Sequence, residues 1–136
     1  DAIFDHHFSS SDAVAIRQRI CQVFELFGQH EQKIMIPLVE YIASRSDFRL
    51  VGSPSSQHSD RAPTVAFHSY DIPSRDIYSK LINAGISCGH GNFYAHRLVE
   101  AIGLDPEDGV VRLSLVHYNT EEEVEKALNV LDEIKQ

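Results

Sequence analysis

The chain is 136 residues long, 43% hydrophobic and 24% charged, with 12 basic residues against 20 acidic ones. That length fits one domain, and no stretch approaches the ~18 uninterrupted apolar residues that a membrane span needs. A net charge of −8 repels phosphate backbones and argues against nucleic acid as the main partner, while two cysteines, Cys21 and Cys88, make no disulfide scaffold, so the expectation is a soluble protein of the reducing cytoplasm.

The start, DAIFDHHFSSSD, lacks the basic-then-apolar layout of a secretory signal. Residues 1–11 show no clear period and read as a lead-in to a single domain over 12–136. Ser11 or Asp12 can cap a helix, its side-chain oxygen accepting from a free N–H of the first turn. Ile16, Ile20, Val23, Phe24, Phe27, Ile34, Leu38, Tyr41 and Ile42 then recur mostly at three- and four-residue steps, a buried stripe on one long helix or two successive ones. Cys21, between Ile20 and Val23, reads as part of the same packing. Gly28 weakens the middle, and the ring of Pro37 should kink or restart the helix. Phe48 to Val51 reads as a strand closed by Gly52.

The Ser-, Pro- and Gly-rich stretch from Gly52 to Pro63 is an exposed connection to a second strand, Thr64 to Ser69, with Val65 and Phe67 on one face. Asp71-Ile72-Pro73-Ser74 opens a helix with Asp71 or Ser74 as cap, Ile77, Leu81 and Ile82 as its apolar face and Gly85 as its left-handed stop. Ile86 to Cys88 is a short strand, and a helix from about Ala95 to Ile102 ends at Gly103. In the strand Val110 to Val116, Val111, Leu113 and Leu115 share one face while Arg112 and Ser114 share the other. Thr120-Glu121-Glu122-Glu123 is a capping box, and Val124, Leu128, Leu131 and Ile134 stripe the closing helix. The order predicts an α+β fold, a two-layer sandwich of about four mostly antiparallel strands with helices on one face.

Arg112 is the most informative residue for chemistry, since alternation drives it off the helix-covered face. A planar fork with five donors suits a carboxylate held bidentately, but spacing alone equally allows, and more often means, an arginine that solvates a sheet face or pairs with an acid. The histidine-rich composition raises a metal site around Cys88, His90, His96 and His117, yet the spacing matches no zinc signature, and ordinary surface or core histidines are the plainer account. Gly89-His90-Gly91-Asn92 could expose backbone N–H groups to an anion, but it lacks the ending of a P-loop and reads first as a strand-to-helix turn. Cys88 could be a nucleophile beside a histidine, although a buried, inert thiol is the commoner outcome.

The succession RAPTVAFH, LINAGISCGHGNFYAHRLVEAIGL and GVVRLSLVHYNTEEEVEKALNVLDEI resembles the small C-terminal domain of class V aminotransferases, most of all the cysteine-desulfurase-like branch. The likeness covers Arg61 to Ile134 well and Glu25 to Val51 more loosely. It implies a piece of a pyridoxal-5′-phosphate enzyme of fold type I, normally a homodimer. A large domain of the same polypeptide would carry the cofactor lysine, and the small one would close over an amino-acid substrate. The arginine of the family's R-x-S segment falls on Arg112 and would hold the substrate carboxylate, with His90 and Asn92 in a possible active-site loop. No catalytic, cofactor-binding or metal residue is assigned in this chain.

Two departures shape the expectation. Desulfurases of the second group carry a reactive cysteine in a Gly-His-His-Cys loop, whereas this loop reads Gly89-His90-Gly91-Asn92-Phe93-Tyr94; Cys88 precedes it and is not the matching residue. None of Lys33, Lys80, Lys126 and Lys135 sits in the Ser/Thr-x-His-Lys setting of a cofactor lysine. The parent would then be an aminotransferase, lyase or desulfurase, and the isolated chain inactive and without bound cofactor. The first residue, Asp rather than Met, fits a fragment. The competing reading is a stand-alone α/β-plait module that binds an amino acid or another small molecule for regulation.

Overall fold

A computed structural model of the chain describes residues 2–8 and 16–134. Ser11 and Asp12, the expected cap, and Lys135 lie outside the described residues. The lead-in contains a short helix, α1 (Ala2–His7), whose buried Phe4 lies under the guanidinium of Arg19, 5.0 Å from the ring centroid.

One helix, α2 (Ile16–Ser44), carries the whole apolar stripe and passes through Pro37 without a break. The proline removes a backbone donor and costs about 3 kcal/mol in a helix interior. Ile34, Met35, Leu38, Val39 and Ile42 around it are all buried, each stabilising by about 1.5–3 kcal/mol, which outweighs that loss. Gly28 has its own reason, since a Cβ there would stand 2.9 Å from Nδ1 of His58, which lies across the helix. The expected burial fails in the first half of α2. Ile16, Ile20 and Phe24 are 75%, 50% and 67% exposed, because little besides α1 lies against them, and Cys21 among them is exposed rather than packed.

The strands are β1 (Phe48–Val51), β2 (Thr64–Ser69), β3 (Gly89–Gly91) and β4 (Val110–Ser114), paired antiparallel in the order β1-β2-β4-β3. Together with the helices they form the α+β fold expected. The helices α2, α3 (Ser74–Asn83) and α5 (Glu121–Asp132) pack on the face that carries Val65, Phe67, Val111 and Leu113. The short α4 (His96–Ala101) is an addition on the other face, where Val99, Ile102 and Leu104 cover Val51, Ala66 and Val110. No described helix is long and apolar enough to cross a membrane.

Three local details differ from expectation. The third strand pairs over residues 89–91 rather than 86–88, because partly buried Ile86 and Cys88 pack against the main core while Gly91 and Gly109 let two backbones meet. β4 ends two residues early, since the backbone N–H of Val116 turns to the Asn119 side chain, 2.8 Å away. Neither Asp71 nor Ser74 caps α3. The carboxylate of Asp108, from the turn before β4, accepts from the Ser74 backbone N–H at 2.7 Å and faces the positive helix end.

The capping box of α5 forms as read. The Glu123 N–H donates to Thr120 Oγ1 at 3.3 Å, and Glu123 Oε2 accepts from the Thr120 N–H at 3.0 Å. The Asn119 side chain, then the Thr120 backbone N–H, hold the Glu123 carboxyl below its ordinary value. A carboxyl lowered by folding stabilises above its unfolded pKa, about 4.3, and that contribution fades as pH falls below it through the lowered folded value. Thermal melts should therefore show Glu123→Ala destabilising at neutral pH and losing most of its effect in acid. Thr120→Ala, which removes the cap acceptor, should cost about 1 kcal/mol at neutral pH.

Candidate functional site

Alternation along β4 puts Arg112 on the face opposite Val111 and Leu113, and the structure leaves it exposed there with Ser114. Its neighbours in register are Ala66 on β2 and Gly89 on β3, so small residues flank it on both sides. Among the described residues Arg112 forms no ion pair and no hydrogen bond. Its guanidinium instead lies over the ring of Phe93, 4.0 Å from the centroid. Of the roles open to it from spacing, pairing with a nearby acid is thereby removed.

The turn after β3 supplies that ring. Phe93 and Tyr94 both have left-handed backbones, with φ of 50° and 63°, a conformation that side-chain-bearing residues rarely adopt. Asn92 holds the turn, its Oδ1 accepting from the Tyr94 N–H at 3.0 Å and its Nδ2 donating to the Pro106 carbonyl at 3.1 Å. Tyr94 is fully exposed at the tip. A Cβ on Gly89 would stand 2.9 Å from Phe93 Cε1, so the ring occupies the space that the glycine leaves.

Beside Arg112, residues 85–88 diverge from β4 and open a groove of about 610 Å³, lined among others by Cys88, Arg112, Ser114, Asn119, Glu123 and Lys126. The Leu115 N–H donates to Pro63 on the β2 side, so by antiparallel alternation the N–H and C=O of Ser114 face the groove. The Cys88 thiol on its wall is pushed above its ordinary pKa by burial and stays protonated at neutral pH, which suits packing better than nucleophilic attack.

The other expected residues scatter. His90 stands opposite Val111 in register, on the helix-covered side, with its ring 4.5 Å from that of Tyr78, so it does not join Arg112. Asn92 does belong to the Arg112 turn, as a clamp. His96 starts α4, and His117 stacks on Phe27 of α2 at 3.9 Å. Among the described residues no three His, Cys, Asp or Glu side chains converge on a metal position.

A pyridoxal aldehyde needs an enclosed lysine amine. Lys33 is exposed and paired with Glu121 at 2.5 Å, and that hydrogen bond holds it charged; Lys80 and Lys126 are exposed. These residues do not fit the cofactor's anchoring end. The described chain offers an exposed guanidinium, Arg112, whose donors have the geometry to meet a carboxylate. Spacing could locate Arg112, but Phe93 and Lys126 carry no signal in sequence, because both reach the site only through the course of the 85–94 segment and the placement of α5.

The aminotransferase class-V family model matches residues 19–127. The aminotransferase-like protein FGM3 of Gibberella zeae is 38% identical over 114 residues, which are 82% of this chain and 28% of that protein. A probable cysteine desulfurase of Staphylococcus aureus is 23% identical over 126 residues, covering 93% of this chain and 29% of the desulfurase. Among solved structures, the cysteine desulfurase of Thermococcus onnurineus NA1 superposes with a TM-score of 0.73 at 24% identity, over 88% of this chain and 28% of that one, a likeness that speaks to the fold alone. The chain thus spans less than a third of each of these relatives.

Proposed function

The chain belongs to the class V aminotransferase family, and from that premise we propose that it is the substrate-carboxylate-binding domain, C-terminal in the parent, of a pyridoxal-phosphate enzyme acting on an amino acid. The observation that carries this reading is Arg112, exposed, without an ionic partner among the described residues, and held over an aromatic ring at the rim of a groove. A guanidinium in that state has its donors available for a carboxylate in two-point contact.

Anchoring by Arg112 would fix the substrate's α-carbon and α-amine relative to the cofactor, a proximity effect with no bond-making by this chain. The cofactor, where bound, supplies the electron sink that stabilises charge at the α-carbon. The lysine, the pyridine-nitrogen partner and the phosphate site belong to the remaining two thirds or more of the polypeptide. The exposed Ile16, Ile20 and Phe24 surface of α2 suits contact with that larger domain or with the second subunit of a dimer.

Pyridoxal phosphate added to this chain and reduced with borohydride should give no stoichiometric lysine adduct by mass spectrometry. Calorimetry with amino acids should show no binding by the chain or by Arg112→Ala. A single-site adduct, or amino-acid binding that Arg112→Ala abolishes, would instead favour a self-sufficient module.

A further inference from the structure

Resting on the reading that Arg112 receives a carboxylate, we infer that Phe93 is the positioning residue for that guanidinium: its ring, seated in the space left by Gly89 and turned by two left-handed residues that Asn92 clamps, is the platform on which Arg112 is held for its ligand.

An arginine on an exposed strand face with no polar partner samples many rotamers, and a carboxylate must restrict them before it can be gripped at two points. The ring at 4.0 Å occupies one face of the guanidinium by cation–π attraction and leaves the edges, where the N–H donors lie, to the ligand. A carboxylate partner inside the protein would fix the arginine equally well but would consume those donors. An aromatic face is the support that orders the cation without neutralising it.

The ring is itself placed by independent features. Gly89 has no side chain, and one added there would push against Phe93 Cε1 at 2.9 Å. Positive φ at both Phe93 and Tyr94 is uncommon and costs folding energy, and such strain persists only where surrounding contacts hold it. Asn92 provides those contacts from both ends of its amide, to Tyr94 and to Pro106. Gly89 also stands opposite Arg112 in the β3–β4 register, so the ring over Gly89 is necessarily beside the arginine.

The test has a spectroscopic and a kinetic arm. In NMR of this chain, the Arg112 Cδ protons should be shifted upfield by the ring current of Phe93. The shift should vanish in Phe93→Leu, persist in Phe93→Tyr and be reduced in Gly89→Ala. In the complete, cofactor-loaded enzyme, Phe93→Leu and Gly89→Ala should each raise KM for the amino acid about five- to twentyfold with kcat changed less than about twofold, in line with loss of one cation–π contact. Phe93→Tyr should restore near wild-type KM, and Gly89→Ala combined with Phe93→Leu should be no worse than the poorer single variant. Absence of the upfield shift in the wild type, or a wild-type KM in Phe93→Leu while Arg112→Ala raises it, overturns the platform alone. An unchanged KM in Arg112→Ala overturns the carboxylate reading and the platform with it. If the leucine variant does not fold, the wild-type shift and the tyrosine variant still decide.

Discussion

Arg112→Ala is expected to raise KM for the amino-acid substrate of the complete enzyme by roughly 10²–10³-fold, about 3–4 kcal/mol, the usual size for truncating one partner of a hydrogen-bonded charge pair. The effect should be large because the arginines of the neighbouring β1 and of the loop before β2 are committed elsewhere. Arg49 is committed to the Ile102 carbonyl at 2.9 Å, and Arg61 holds loop carbonyls at Ser53 and Thr64. Arg112→Lys should recover only part of the loss, since an ammonium is a point charge without the two-point fork. Folding should change little, because the side chain is exposed and its contact with the Phe93 ring is worth only about 0.5–1 kcal/mol. Steady-state kinetics alongside a thermal melt separates the two effects.

Gly109→Ala is expected to be the most damaging single methyl group in the fold. A Cβ there would stand well inside contact distance of the Gly91 carbonyl carbon and oxygen, so β3 and β4 cannot keep their approach, and the φ of +69° adds strain for any side chain. Loss of about 3–5 kcal/mol follows, with a fall in Tm of about 10–20 °C for a domain of this size. Gly103→Ala is the control. Its φ is +78° but nothing lies near the added carbon, so only about 1–2 kcal/mol of strain is expected. Equal melts for the two alanine variants would show that the strand contact does not matter.

What could be read from the chain and what could not divide along a physical line. Strands β1, β2 and most of β4 follow from alternation, and the α5 cap follows from Thr120 and Glu123, because each of those signals is local. The position of β3 was illegible, since a three-residue strand with two glycines has no pattern of side chains. The cap of α3 comes from Asp108, 34 residues away, a partner that only tertiary structure supplies. The stripe on α2 is legible in its three- and four-residue spacing, but burial of its first half requires a covering element that the described chain does not contain. At the site, the β4 alternation aimed Arg112, while the platform beneath it depends on a gap at Gly89 and on left-handed turns that no composition rule announces.

The most direct test compares an amino-acid substrate with the amine that lacks only its carboxylate, measuring the dissociation constant of each by calorimetry on the complete enzyme and on Arg112→Ala. The wild type should prefer the acid by at least about 10²-fold, and the variant should bind the two almost equally. The same preference in both proteins would mean that the carboxylate is held elsewhere.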